Sequence, residues 1–218
     1  MLTLTLDSAL ARVSAAMFDG DRSLAADIRD VARGIGLLPT MTEAVLAAAG
    51  RRPADLAMIA VTVGPGGFTG IRGALSLAHG LGLAAGVPVV GVTVPEALEA
   101  GLEAPDGRPL WVAIDNRRGR VFLAIGGVVA AVALDSLPLP DGPVALAGDA
   151  AEAVAARLAA RGADVVTTGA LLPEPLGIAR AAFDRRHGAL PPLAAQPLYV
   201  DPPEARVPRA GLRPAPAR

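Results

Sequence analysis

Cysteine is absent from the 218 residues, which excludes disulfides, thiolate nucleophiles and zinc centres with sulfur ligands. Lysine is absent as well, so every basic residue is arginine. That removes the phosphate-reaching lysine of P-loop sites, the strand lysine of protein kinases and any Schiff-base chemistry. Histidine occurs only at His79 and His187, too far apart in the chain to suggest a ligand pair. Aromatic residues make up 3% against 52% hydrophobic residues, so the core has to be built from Ala, Val, Leu and Ile. The formal net charge is −1. No overall field draws nucleic acid or a membrane surface, and contact with tRNA or DNA is expected only through a partner.

Two long-segment signals also fail. Residues 1–28 carry Asp7, Asp19 and Asp21 with no basic leader region, so they do not read as a secretory signal. Residues 73–95 contain no charged side chain, but glycines, His79 and Pro88 divide them into a helix, a turn and a strand rather than one span. The expectation is a cytoplasmic protein without a membrane segment.

What is present is a run of short apolar segments. Residues 2–6 read as a buried strand ending at Asp7, residues 12–18 as a second strand turned at Asp19-Gly20-Asp21, and residues 23–28 as a weaker third. The spacing then becomes helical from about Arg33 to Ala49, with Leu38, Met41, Val45 and Ala48 on one face. A strand over 58–63, a turn at Gly64-Pro65-Gly66-Gly67, a helix over 69–85, a strand over 87–92 and a helix over 95–102 follow. The order βββαβαβα fits a mixed sheet with helices on its faces.

Residues 104–109 form a loop and the expected boundary, after which the opening pattern returns. A strand over 110–114 ends at Asp115, and Arg120-Val121 follows it at the offset at which Arg12-Val13 follows Asp7. A strand–Asp–hairpin unit seen twice predicts two lobes related by duplication. Strands over 128–134 and 144–147 and helices over 150–160 and 176–187 complete a less regular second half. The expected organisation is an N-terminal lobe over 1–104, a degenerate second lobe over 105–200, and a flexible Pro/Arg-rich tail over 201–218.

Two halves that each open with an Asp-ended hairpin describe the actin-like/Hsp70-like ATPase superfold. Within it, Gly64-Pro65-Gly66-Gly67-Phe68-Thr69-Gly70-Ile71-Arg72 closely resembles the GPGSFTGxR segment of the TsaB family, bacterial proteins required for N6-threonylcarbamoyladenosine in tRNA. Leu37-Leu38-Pro39 resembles that family's LLP segment, and Val87-Pro88-Val89-Val90-Gly91-Val92 its LPLVGVS strand. Ala113-Ile114-Asp115-Asn116-Arg117 resembles its AIDAR strand, and Pro197-Leu198-Tyr199-Val200 its closing PxYLR. The chain departs where the family often has a histidine before LLP, reading Val31-Ala32-Arg33-Gly34. The resemblance implies a non-catalytic subunit without cofactor or metal. Such a subunit pairs with TsaD, the paralogue that transfers threonylcarbamoyl to the adenosine 3′ of the anticodon, and TsaE, an ATPase, joins the assembly. The wider family also carries a metallo-glycoprotease label.

Each motif has a plainer use beside the chemical one. Gly64, Pro65, Gly66, Gly67, Phe68, Thr69, Gly70 and Arg72 have the form of a phosphate cradle at a helix N-terminus. The same glycines let a strand turn sharply into a helix, with Thr62 or Thr69 available as a cap, and without lysine the structural use is favoured. Asp7 and Asp115 stand where actin-like ATPases keep aspartates near metal-bound phosphates. Ser8-Ala9-Leu10-Ala11, however, lacks the glycines that let backbone approach a nucleotide, so both are read as turn-stabilising remnants of a site.

In TsaD an HxxxH pair follows the strand matching Val87–Val92; here that stretch reads Thr93-Val94-Pro95-Glu96-Ala97-Leu98. Finally, Gly70, Ala74, Ala78, Gly82 and Gly86 recur every fourth residue, a smooth stripe that fits either the chain's own sheet or another helix. In the TsaB family the two corresponding helices form a bundle with TsaD or with a second copy. The expected partner interface is therefore Leu38, Met41, Val45, Ala74, Leu75, Ala78, His79 and Gly82. An ATP-dependent phosphotransferase, a metallopeptidase and a partnerless homodimer are the alternatives.

Overall fold

The structure, a computed structural model, describes residues 1–116 and 119–201. The chain opens with β1 (Leu2–Asp7), β2 (Val13–Asp19) and β3 (Arg22–Arg29), then α1 (Leu38–Ala48), β4 (Met58–Gly64), α2 (Phe68–Ala85), β5 (Val89–Thr93) and α3 (Val94–Gly101). The second half contains β6 (Leu110–Asp115), β7 (Arg120–Ile125), β8 (Val128–Ala133), β9 (Val144–Ala147), α4 (Ala151–Ala159), β10 (Val165–Thr167) and α5 (Pro175–Arg186).

The two sheets repeat one topology. The first has the order β3-β2-β1-β4-β5 and the second β8-β7-β6-β9-β10. In each, a three-stranded antiparallel meander joins two further parallel strands at the strand that ends in aspartate. The expected two-lobed α/β architecture and its internal duplication are therefore present. The second copy is reduced: a 3-10 turn at Leu134–Ser136 falls between β8 and β9, where the first copy has α1 between β3 and β4.

Alternation along β1 sets the layers of the first lobe. Leu4 and Leu6 point to one face, where they pack with Leu38, Met41 and Val45 of α1 and Ile71, Ala74, Leu75 and Ala78 of α2. Central β4 is apolar on both sides and buried at every residue, as expected of a strand covered on both faces. The opposite face belongs to α3 and α5: Met58, Ala60, Val90 and Val92 pack against Ala97, Ile178, Ala181 and Ala182. The two helices cross at two glycines, where a Cβ on Gly177 would overlap the Ala97 carbonyl and lie 3.1 Å from Gly101 Cα. So α5, which follows the second sheet in sequence, returns to close the first.

Helix α1 starts later than the apolar spacing suggests. Arg33 adopts left-handed backbone (φ 63°), Gly34–Leu37 forms a 3-10 turn, and the α-helix begins at Leu38 with Pro39 in its first turn, where a missing N–H costs nothing. The charge-poor stretch over 73–95 is broken by Gly86, a left-handed C-terminal cap of α2 (φ 70°). Among the described residues, no helix is long and apolar enough to cross a membrane. The tail expected over 201–218 falls, apart from Asp201, outside the described residues.

Candidate functional site

Between the lobes lies a cleft of about 530 Å³, bordered by Gly66, Gly67 and Phe68 on one side and Asp115, Asn116 and Asp149 on the other. In a fold of this topology the crevice at the carboxyl ends of the strands is where a ligand is held. The two aspartates marked by the repeat end up in different situations.

Asp7 is fully buried. Its Oδ1 accepts from the Ala9 amide at 3.0 Å and from the Thr62 hydroxyl at 2.5 Å, while Oδ2 has no partner. Burial pushes its carboxyl above the ordinary value of 3.8, against the opposing pull of Thr62, the Ala9 amide, Arg12 and the Ser8 amide. Asp115, by contrast, is exposed at the cleft, and its backbone amide donates to Asp149 Oδ1 at 2.8 Å. Asp115 borders the cleft, whereas Asp7 is not among the residues that line it.

What seals Asp7 is the glycine loop. Gly67 N donates to the Ala9 carbonyl at 2.7 Å. A Cβ on Gly66 would overlap that same carbonyl, and one on Gly70 would overlap the carbonyl of Ser8. These glycines are therefore small because the β1–β2 turn lies directly on them. On this side the loop packs against the chain's own hairpin, and one of the loop amides is already engaged. The second lobe repeats the device: Gly148, at φ 99°, has no room for a Cβ against the Ala113 carbonyl, and Ala150 N donates to that oxygen at 3.1 Å. Neither threonine caps α2; Gly67 is the N-cap residue and no side chain bonds there. Thr62 serves Asp7 instead. Phe68 is 61% exposed, with Arg72 stacked over its ring at 3.7 Å and donating to the Tyr199 hydroxyl at 2.5 Å.

The stretch that would align with a histidine pair is occupied by a structural node. Thr93 Oγ1 accepts from Glu96 N, capping α3, and Glu96 Oε2 accepts in turn from Thr93 N. The other Glu96 oxygen pairs with Arg185 of α5 at 2.5 Å, both side chains being largely buried. Arg185 also donates to the carbonyls of Gly91 and Pro191. These residues do not fit a metal: the one carboxylate is already spent on a guanidinium and a helix cap. The histidines sit apart, His79 Nε2–H donating to the Ala195 carbonyl at 2.7 Å and His187 stacking on Phe183.

The expected interface residues need a correction. Leu38, Met41, Val45, Ala74, Leu75 and Ala78 are between 0% and 4% exposed, and Gly82 is buried with Val89 and the Val87 carbonyl where its Cβ would be. The small-residue stripe serves the chain's own sheet. Only His79 of that set is at the surface. The faces left open on the same helices carry Ala44 and Ala47 on α1 and Ser76, Gly80 and Leu83 on α2, with Leu83 88% exposed. Sequence periodicity had separated the two faces of α2; which one faced inward depended on where β4 and β5 lay.

Comparison with known proteins is consistent with this geometry. A family model for TsaD, the tRNA N6-adenosine threonylcarbamoyltransferase, matches residues 35–141. The tRNA threonylcarbamoyladenosine biosynthesis protein TsaB of Escherichia coli (strain K12) is 35% identical over 89 residues, 40% of this chain and 38% of that protein's length. The match therefore spans well under half of that relative. Among solved structures, an uncharacterized Pseudomonas aeruginosa protein with similarity to peptidase YeaZ superposes with a TM-score of 0.76. It is 24% identical, and 92% of this chain and 99% of that one are covered. Component A of (R)-2-hydroxyglutaryl-CoA dehydratase from Acidaminococcus fermentans shares the fold more distantly, with a TM-score of 0.50 at 13% identity over 87% of this chain and 100% of that one. Over part of its length the chain is similar in sequence to TsaB and TsaD, and by architecture it has the two-lobed actin-like α/β fold.

Proposed function

We propose that this chain is a non-catalytic subunit of a system that installs N6-threonylcarbamoyladenosine in tRNA, at the adenosine 3′ of the anticodon. It acts in the cytoplasm by binding a TsaD-like catalytic paralogue, with a TsaE-like ATPase in the same assembly and tRNA contacted only through them. The observation that carries the non-catalytic half of this reading is the packing of the Ser8–Ala9 carbonyls onto Gly66, Gly67 and Gly70, which gives the glycine loop a structural use in place of a phosphate-binding one. The kinship with TsaB and TsaD supports the pathway.

The docking surface is the outward face of α1 and α2: Ala44, Ala47, Ser76, Gly80 and Leu83. Short side chains there let another helix approach closely, and Leu83 offers an apolar anchor. Contacts made only with the competent partner conformer raise that conformer's population, which is how a subunit without chemistry can be required for a reaction. The same face can pair with a second copy, and sizing with and without the paralogue distinguishes the two assemblies.

Reconstitution tests the reading. Transfer of threonylcarbamoyl to tRNA is expected to require this chain together with the paralogue, and to be lost with Gly80→Arg or Leu83→Arg while both variants stay folded. No neighbour lies within 4 Å of a Cβ on Gly80, so that variant leaves the fold intact. Retained complex formation by both variants rejects the surface. Turnover of Mg-ATP or of a peptide by the purified chain alone rejects the non-catalytic role and favours a phosphotransferase or peptidase.

A further inference from the structure

Between the end of α5 and Asp201 the described residues have no regular secondary structure, yet they are tied down at successive points. Ala194 and Ala195 lie against Gly91, where a Cβ would come within 3.0 Å of the Ala194 carbonyl. His79 of α2 holds the Ala195 carbonyl at 2.7 Å. Leu198 N donates to Val63 O at the end of β4, 2.9 Å away, and the Tyr199 hydroxyl accepts from Arg72 of α2. All of these holds are on the first lobe. Two residues later the segment reaches the second: Asp201 Oδ1 pairs with Arg120 Nη1 at 3.1 Å at the start of β7, and Oδ2 accepts from Asn116 Nδ2 at 3.4 Å. Residues 197–201 line the cleft over this span.

We propose that residues 194–201 form a latch across the inter-lobe cleft, anchored on α2 and β4 and fastened to the second lobe through Asp201. The two ends differ in strength. The first-lobe end combines backbone pairing, a buried glycine contact and two side-chain bonds. Among the described residues, the polar hold of the second-lobe end is one ion pair between groups 44% and 21% exposed, plus one long amide bond. An ion pair of that exposure shifts an equilibrium by about two- to fivefold and is screened by salt. The latch is thus built to release at Asp201 first, leaving the strap on the first lobe and the cleft mouth wider. This inference stands apart from the proposed function, since it concerns only the joint between the lobes.

The test uses the full chain and exploits its lack of cysteine. Spin labels at Ala44→Cys and Ala156→Cys, both exposed, report the distance between lobes, and amide exchange reports the Leu198 hydrogen bond. Asp201→Ala, or raising salt from about 0.05 to 0.5 M, is expected to broaden the inter-lobe distance distribution. The same changes should speed exchange at Leu198 by about two- to fivefold, while amides within β1 and β4 stay protected. An unchanged distance distribution in Asp201→Ala overturns the latch, because the lobes are then held together without it. Unchanged Leu198 exchange overturns it as well, because the strap is then indifferent to its far end.

Discussion

Burial and the groups around Asp7 act on it in opposite directions. Burial favours the neutral acid, while the Thr62 hydroxyl, the Ala9 amide and Arg12 favour the carboxylate, and burial prevails. A carboxyl whose affinity for protons is higher folded than unfolded stabilises the fold below the unfolded value of 3.8, and that contribution is lost as pH rises through its folded value. Asparagine mimics the protonated form and keeps the Oδ1 acceptor. Asp7→Asn is therefore expected to raise the urea midpoint at pH 7, with the gain shrinking toward zero as pH falls below the unfolded value of 3.8. Asp7→Ala instead strands the Thr62 hydroxyl and the Ala9 amide and is expected to cost about 1–3 kcal/mol for each. If Asp7→Asn loses stability at pH 7, the bonds that Thr62 and the Ala9 amide give the carboxylate outweigh its burial. The sequence identified this residue through its repeat with Asp115 but could not show its burial, because what covers it is a turn whose path depends on the glycine loop.

At the scale of elements, α2 carries two sets of glycines with opposite roles. Gly70 has the Ser8 carbonyl where a Cβ would go, whereas Gly80 faces open space. Gly70→Ala is expected to destabilise by about 1–3 kcal/mol through overpacking, and Gly80→Ala to stabilise by about 0.5–1 kcal/mol through helix propensity. Opposite shifts in denaturation midpoint check the pair; shifts of one sign would mean that the hairpin yields. The node on α3 makes a second case. Arg185→Met leaves Glu96 buried without its cation and is expected to cost about 3–5 kcal/mol. Arg157→Ala, which breaks an ion pair between side chains 57% and 82% exposed, should cost under about 1 kcal/mol.

Most elements were legible in the sequence because their apolar spacing is local, as in the helical spacing of Leu38, Met41 and Val45 on α1. Strand β10 was not, being three half-buried residues with no alternation to read. Nor was the inward direction of the Ala74–Ala78–Gly82 stripe, because a period of four identifies a helix face without saying which layer lies against it.

For the whole molecule, the destination of α5 decides what can fold alone. The sequence boundary at 104–109 suggests that residues 1–104 form a lobe, yet one face of that lobe's sheet ends in Met58, Ala60, Val90 and Val92, covered in part by Ile178, Ala181 and Ala182 of α5. Phe18 on β2 likewise packs against Ala179. Without α5 those side chains meet water, and the Glu96 carboxylate loses Arg185. Each apolar side chain so exposed forfeits roughly 1.5–3 kcal/mol, which for several of them approaches the whole stability of a domain. The fragment 1–104 is therefore expected to show no cooperative thermal transition and to bind a hydrophobic dye. Supplying residues 175–201, as a co-expressed peptide or joined by a flexible linker, is expected to restore a single transition. A fragment 1–104 that melts cooperatively by itself would mean that α3 alone closes that face, and that the return of α5 tethers the lobes without being needed to fold the first one.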